Sequence, residues 1–244
     1  MKNFYIISNA LNTSHSVIET TLRQSQLLNT IASVRKFDSN ATICVVEMSA
    51  TPLENEQRAL LKEHVNYLFE YTWDSEVQRI HKTHTIHFVK NLTETLCLKS
   101  FFVHLKNTQL AADHKRIFKL SGRYQLTEHF NLAQYQAEHF MNKIVFAKHR
   151  PPAHYITKST YGISQTQDRG QYMSRLWSFD TQLLDHICEI YDSIFDFMAS
   201  STDETEYIDI EHCLFEFMPK SKIIEIDQIG VQGLGGFTGM LFED

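Results

Sequence analysis

From residue 4 to about residue 120 the chain alternates short apolar runs with segments of helical period. This alternation restricts the fold more than any other feature of the sequence. The runs at 4–8 (FYIIS), 42–48 (TICVVEM), 65–71 (VNYLFEY) and 117–120 (IFKL) predict strands, with a fifth at 144–147 (IVFA). The second is apolar up to Glu47, as a strand covered on both faces is. Between them, apolar side chains recur at helical spacing over 16–37, including Leu27, Leu28, Ile31 and Val34, and over 86–106, including Leu92, Leu96 and Phe102. Asp38-Ser39-Asn40 stops the first of these helices, and Thr51-Pro52 opens another that reaches about residue 63. Strand and helix in turn predict βαβ units around a largely parallel sheet. The expected fold is α/β: one Rossmann-like domain over 1–244, with a mixed, mostly parallel central sheet flanked by helices. The second half is less regular. Residues 151–177 read as loop, 178–199 as an amphipathic helix starting at Ser178, 208–218 as a helix and 223–226 as a last strand.

Composition excludes several classes of partner. Hydrophobic residues make up 43% of the chain, enough for one sizeable core, and the net charge of -6 is mild. No global charge draws the chain to nucleic acid or anionic lipid, so no nucleic-acid partner is expected and any basic site must be local. No run approaches the roughly 18 apolar residues of a membrane span, and the first residues, MKNFYIISNALNTSH, lack the pattern of a signal peptide. Cys44, Cys97, Cys188 and Cys213 are widely spaced within apolar runs, as buried thiols of a reducing compartment are. The expected location is cytoplasmic.

Glycine placement narrows the chemistry. The turn after the first strand is NALNTSH, without glycine, whereas dinucleotide folds and P-loops hold phosphate on glycine-rich turns at that place. A nucleotidyltransferase or methyltransferase is disfavoured for the same reason. Gly122 is the first glycine of the chain, and five of the eight lie between Gly230 and Gly239. That tail, IGVQGLGGFTG, carries Gln232 and Gly233 and reads either as a terminus or as a wall closing over a ligand.

Four groups of residues carry candidate chemistry. Lys119, Ser121, Gly122, Arg123 and Tyr124 (KLSGRY) follow an inner strand, at the edge where open α/β sheets bind ligands. There Arg123 is placed to grip phosphate or carboxylate; the plain alternative is a tight turn with a surface ion pair. Glu47 and Ser49 end the second strand, to accept sugar or ribose hydroxyls or to cap the next helix. Asp209 and Glu211 (YIDIEHC) project roughly 160° apart on a helix, so one of them at most faces a given site as base or ligand. Arg175 and Trp177 lie in SRLWSFD, to meet phosphate or acceptor or to serve the core.

Taken in order, the VVE strand, KLSGRYQL, SRLWSFD, IEH and the IGVQG tail resemble small GT-A-type glycosyltransferase-like proteins of bacterial and viral origin. The resemblance implies a nucleotide-sugar donor over the carboxyl edge of the sheet, in a nucleotide-binding half over 1–126, and a glycan or other hydroxyl acceptor met by a closing half over 127–244. It implies donor contacts at Ser8, Asn9, Glu47, Ser49 and the stretch from Lys119 to Tyr124, a base at Glu211 or Asp209, and acceptor or phosphate contacts at Arg175, Trp177, Gln232 and Gly233. In that family the strand before the mid-chain turn ends in a DxD motif holding Mn²⁺ or Mg²⁺. Here Lys119-Leu120-Ser121-Gly122-Arg123 stands in its place, so metal dependence is left open and Arg123, with Lys119, is expected to neutralise diphosphate charge directly. The expected activity is glycosyl transfer from a nucleotide-sugar to a hydroxyl. The alternative is a non-catalytic nucleotide- or glycan-binding protein of the same fold.

Overall fold

The structure is a computed structural model that describes residues 2–13, 18–84, 86–151, 170–200, 209–235 and 239–244. In chain order its elements are β1 (Asn3–Asn9), α1 (Thr20–Phe37), β2 (Thr42–Glu47), α2 (Asn55–His64), β3 (Tyr67–Glu70), α3 (Ser75–Thr83), α4 (Ile86–Thr108), β4 (Arg116–Ser121), β5 (Tyr124–Leu126), β6 (Ile144–Ala147), β7 (Leu176–Asp180), α5 (Leu184–Ser200), α6 (Ile210–Phe217), β8 (Ile223–Ile226), β9 (Val231–Leu234) and β10 (Leu241–Glu243).

Seven strands form the central sheet in the order β3-β2-β1-β4-β7-β6-β8. Among its described strands β7 alone runs against its neighbours, antiparallel to both β4 and β6, while the other pairings are parallel. A second sheet, β10-β9-β5, is antiparallel and ties residues 124–126 to the tail. The fold is thus α/β with a mixed, mostly parallel sheet in one domain.

Alternation along each strand builds two apolar layers. Phe4 and Ile6 of β1 join Cys44, Ile117, Phe146, Trp177 and the inner faces of α3 to α6. Tyr5 and Ile7 join Ile43, Val45, Phe118, Leu120 and the inner face of α1, with β5 and β9 extending that layer. Both faces of the strands are buried, so a periodicity of two is invisible in their sequences. Each fully buried Phe, Ile or Leu contributes about 1.5–3 kcal/mol relative to exposure. The four cysteines are free buried thiols within these layers. Among the described residues no helix is long and apolar enough to cross a membrane.

One expectation is corrected. Residue 178 does not open a helix: Leu176–Asp180 is strand β7, and α5 begins at Leu184. Trp177 and Phe179 are sealed against Phe102 of α4, whose ring meets both nearly edge-on, and Leu176 points into the opposite layer. Ser178 has the residue type of a helix cap, but Asp180 is the cap: its side chain accepts from the Gln182 N–H and starts the helical turns. Between the third strand and the long helix, where the sequence indicates no element, lies α3. It is capped by Asp74, whose side chain accepts from the backbone N–H groups of Glu76 and Val77.

Candidate functional site

The carboxyl ends of β1, β2 and β4 lie side by side, with Ser8 paired to Val46 on one side and Ser121 on the other. Over them opens a cavity of about 120 Å³, walled by the loop after β1, by α1 and by the α3–α4 segment. Ser8, Asn9, Ser49, Ser121 and Arg123 all line it, so five of the nine expected donor residues meet around one space.

The turn after β4 explains the late glycine. The Gly122 N–H donates to the carbonyl of Ser8 at 2.8 Å, which brings the turn against the end of β1. A Cβ at this position would stand 2.9 Å from Asn9 Oδ1, 3.1 Å from Leu27 and 3.2 Å from the Ser8 carbonyl. Glycine is required here by close approach, and the turn then delivers Arg123 to the cavity. Arg123 is half-buried, and its guanidinium makes no hydrogen bond or ion pair among the described residues.

A second arginine, which the sequence reading missed, faces Arg123. Arg23 of α1 is 9% exposed; its Nη1 donates to the carbonyl of Ala10 at 2.6 Å, while its Nε is buried with no partner among the described residues. Burial first, and then repulsion from Arg123, lower its pKa to about 10. Lys90 of α4, exposed, adds a third cation to the rim, which His81 of α3, half-buried, also lines. An anion seated between these groups relieves their mutual repulsion. Nothing in the local sequence of α1 marks Arg23, because its role depends on how that helix packs against the end of β1.

Glu47 lies beneath this cavity rather than in it. Its carboxylate is fully buried and accepts from Asn9 Nδ2 at 2.7 Å, from the N–H groups of Leu11 and Ser49 at 3.0 Å each, and from the Ser49 hydroxyl. Burial pushes its carboxyl up, and these hydrogen bonds pull it the other way. Its oxygens are committed to folding the loop after β1, so it presents Asn9 and Ser49 to the cavity instead of meeting a ligand.

Lys119 is also withdrawn. It is fully buried on the α4 side of β4, and its Nζ donates to Glu94 Oε1 and to the carbonyl of Ser174, each at 2.7 Å. Ser8 Oγ donates to the same Glu94 oxygen at 3.2 Å. Glu94, on α4, is the one carboxylate among the described residues lining the cavity. Burial opposes its ionisation, but Lys119, with help from Lys90 and Ser8, outweighs that and holds its carboxyl below the usual range. The sequence reading missed Glu94 as well; within TETL it reads as an ordinary polar position of a long helix.

The remaining expected residues divide between the core and the small sheet. Tyr124 opens β5 opposite Gly233, and Gln232 pairs with Gln125; a side chain at Gly233 would collide with the Arg123 carbonyl and Tyr124. These three shape the turn that carries Arg123 and lie outside the cavity lining. Arg175 is buried, its Nη1 donating to Asp244 at 2.5 Å and its guanidinium lying 4.4 Å from the Phe242 ring centroid. It holds the tail in place rather than facing an acceptor. Trp177 is a fully buried core residue of β7. Asp209 caps α6, accepting from the N–H of His212 at 2.9 Å and from its ring Nδ1. Glu211 is half-buried and accepts from Ser174 Oγ at 2.6 Å. Ser174 therefore links Glu211 to Lys119 and Glu94 at the cavity edge.

Among the described residues the cavity lining does not fit a divalent cation: its one carboxylate, Glu94, already carries the Lys119 ammonium, and no group of three or more His, Cys, Asp or Glu side chains converges.

No protein-family model matches this chain, and no curated protein sequence matches it significantly. Solved structures do. Core-mannan synthase A (CmsA/Ktr4) from Aspergillus fumigatus, in a Mn/GDP form, is 12% identical with a TM-score of 0.54, over 94% of this chain and 73% of that one. A glycosyltransferase involved in glycosylation of the major capsid of PBCV-1 is 8% identical (TM-score 0.46; 92% and 81% covered), and mouse xyloside xylosyltransferase 1 is 10% identical (TM-score 0.46; 93% and 85% covered). The chain has the fold of the GT-A-type glycosyltransferases.

Proposed function

We propose that this chain transfers a sugar from a nucleotide-sugar donor to an acceptor hydroxyl, with the donor diphosphate held between Arg23, Arg123 and Lys90. The observation that carries the reading is the pair of arginines facing one cavity at the carboxyl ends of β1 and β4, one with a buried, unpartnered Nε and the other with an uncommitted guanidinium. This is the edge at which open α/β sheets take their ligands. The likeness in fold to a synthase whose structure is a Mn/GDP form supports a nucleotide as the ligand.

Glycosyl transfer must stabilise a departing nucleoside diphosphate as charge builds on its oxygens. Guanidinium and ammonium groups gathered around one cavity meet that charge, with Arg23 already oriented by the Ala10 carbonyl. Asn9 and Ser49, held by Glu47, offer an amide and a hydroxyl to the nucleoside. The acceptor hydroxyl needs a base if the anomeric configuration inverts. Of the two carboxylates proposed for this, Glu211 is the better placed, because Asp209 is committed to His212 while Glu211 bonds the Ser174 that also touches Lys119.

A thermal-unfolding screen of UDP-, GDP-, CMP- and dTDP-sugars, followed by assay of donor hydrolysis and of transfer to simple glycosides, tests this. Stabilisation with turnover supports the enzyme. Stabilisation by a nucleotide-sugar without hydrolysis or transfer supports a non-catalytic binding protein, the reading favoured by the missing acids after β4. No stabilisation by any nucleotide refutes both.

A further inference from the structure

A carboxylate in a cavity lined with cations for a diphosphate is an expense to binding unless it meets something other than phosphate. Glu94 is such a group. Its Oε1 is occupied by Lys119 and Ser8, but among the described residues no donor reaches Oε2, and the side chain retains 15% of its exposure where it lines the cavity. Stability alone does not call for the Lys119–Glu94 pair, since buried ion pairs are often replaceable by apolar residues without loss. Lys119 is itself fully buried, so it acts on the cavity only by keeping Glu94 charged and fixed in place.

We infer that Glu94 reads the sugar of the donor, its free oxygen accepting a hydrogen bond from a hydroxyl of a hydroxyl-bearing sugar whose diphosphate lies between Arg23 and Arg123. The inference rests on the proposed nucleotide-sugar function and adds the group that distinguishes a nucleotide-sugar from the bare nucleotide. A charged acceptor suits this task, because hydrogen bonds to ionised groups are roughly twice as strong as neutral ones. Glu94 is a specificity residue in this account, and Lys119 a positioning residue that acts through it.

The test exploits opposite signs. Isothermal titration compares UDP with UDP-glucose, GDP with GDP-mannose and dTDP with dTDP-glucose on the wild type and on Glu94→Gln. Because that variant leaves a buried ammonium unpaired, the double variant Glu94→Gln/Lys119→Met is measured alongside it, with unfolding curves to verify its fold. For the nucleotide that binds, Glu94→Gln is expected to hold the bare diphosphate at least as tightly as the wild type, since a repelling charge is gone, and the double variant, which loses one charge of each sign, about as tightly. The matching nucleotide-sugar is expected to weaken about ten- to hundredfold. If diphosphate and nucleotide-sugar affinities move together, in either direction, Glu94 serves only as the counter-ion of Lys119 and the inference fails while the donor-site reading stands. If the wild type binds none of the six ligands, the donor-site reading fails and takes this one with it.

Discussion

Lys119 Nζ lies 2.7 Å from Glu94 Oε1, the lysine shut off from solvent on β4 and the glutamate at the cavity edge on α4. This places a fixed positive charge behind the carboxyl end of the sheet and a fixed negative charge in front of it. Positive charge lining the cavity itself is supplied separately, by Arg23 from α1 and Arg123 from the turn after β4.

Arg123→Ala is expected to lower affinity for the donor nucleotide about ten- to hundredfold, the equivalent of one charge-assisted hydrogen bond. Stability should be nearly unchanged, because the guanidinium has no partner among the described residues. Titration of the variant beside its denaturation curve checks both halves. Full retention of affinity would return Arg123 to a surface role.

Gly122→Ala should destabilise the protein by about 1–3 kcal/mol and weaken donor binding with it. The added methyl would press on Asn9 Oδ1 and the Ser8 carbonyl, so the turn must retreat from β1 and carry Arg123 away. Urea unfolding and nucleotide titration of one preparation measure the two effects. A variant as stable and as tight-binding as the wild type would mean that the turn tolerates a side chain.

The Lys119–Glu94 pair predicts a pH signature. The folded-state carboxyl of Glu94 is held below its ordinary value of 4.5. Its contribution is therefore fully present above the unfolded pKa and disappears as pH falls through the lower folded value. The stability difference between the wild type and Glu94→Gln/Lys119→Met should be level above about pH 5 and should shift against the wild type on acidification below about pH 4.5. A difference that stays level down to about pH 3 would contradict this assignment.

Arg175→Ala should cost about 1–3 kcal/mol in stability, because the buried Asp244 carboxylate loses one of its two arginine partners and keeps Arg150. Donor affinity measured at a temperature where the variant is folded should not change. A fall in affinity without a fall in stability would instead support the phosphate contact expected from SRLWSFD.

Much of this architecture is legible in the chain. The parallel strands at 42–47 and 116–121 and the long helices carry contiguous apolar runs or a clear helical period, and each lies where the sequence indicates. Strand β7 is obscured by a competing cap signal: Ser178 has the residue type that opens a helix, although Asp180 two residues later is the cap. The site divides in the same way. Ser49, Ser121 and Arg123 follow from a general rule about strand ends, and Ser8 and Asn9 from the family resemblance. Arg23, Lys90 and Glu94 do not, because they belong to helices and reach the cavity only through the packing of α1 and α4 on the sheet. Glu47 and Lys119 have the right address and the wrong orientation: their side chains are consumed by hydrogen bonds within the protein, which a one-dimensional reading does not reveal.

The most direct test of the central claim is calorimetric titration of the wild type and of Arg23→Ala/Arg123→Ala with UDP-, GDP-, CMP- and dTDP-sugars in the presence of a chelator. The account predicts that at least one nucleoside-diphosphate sugar binds the wild type without added metal, and that removing both guanidinium groups abolishes the binding while the fold persists. Absence of any nucleotide binding to the wild type, or equal binding by the double variant, would contradict it.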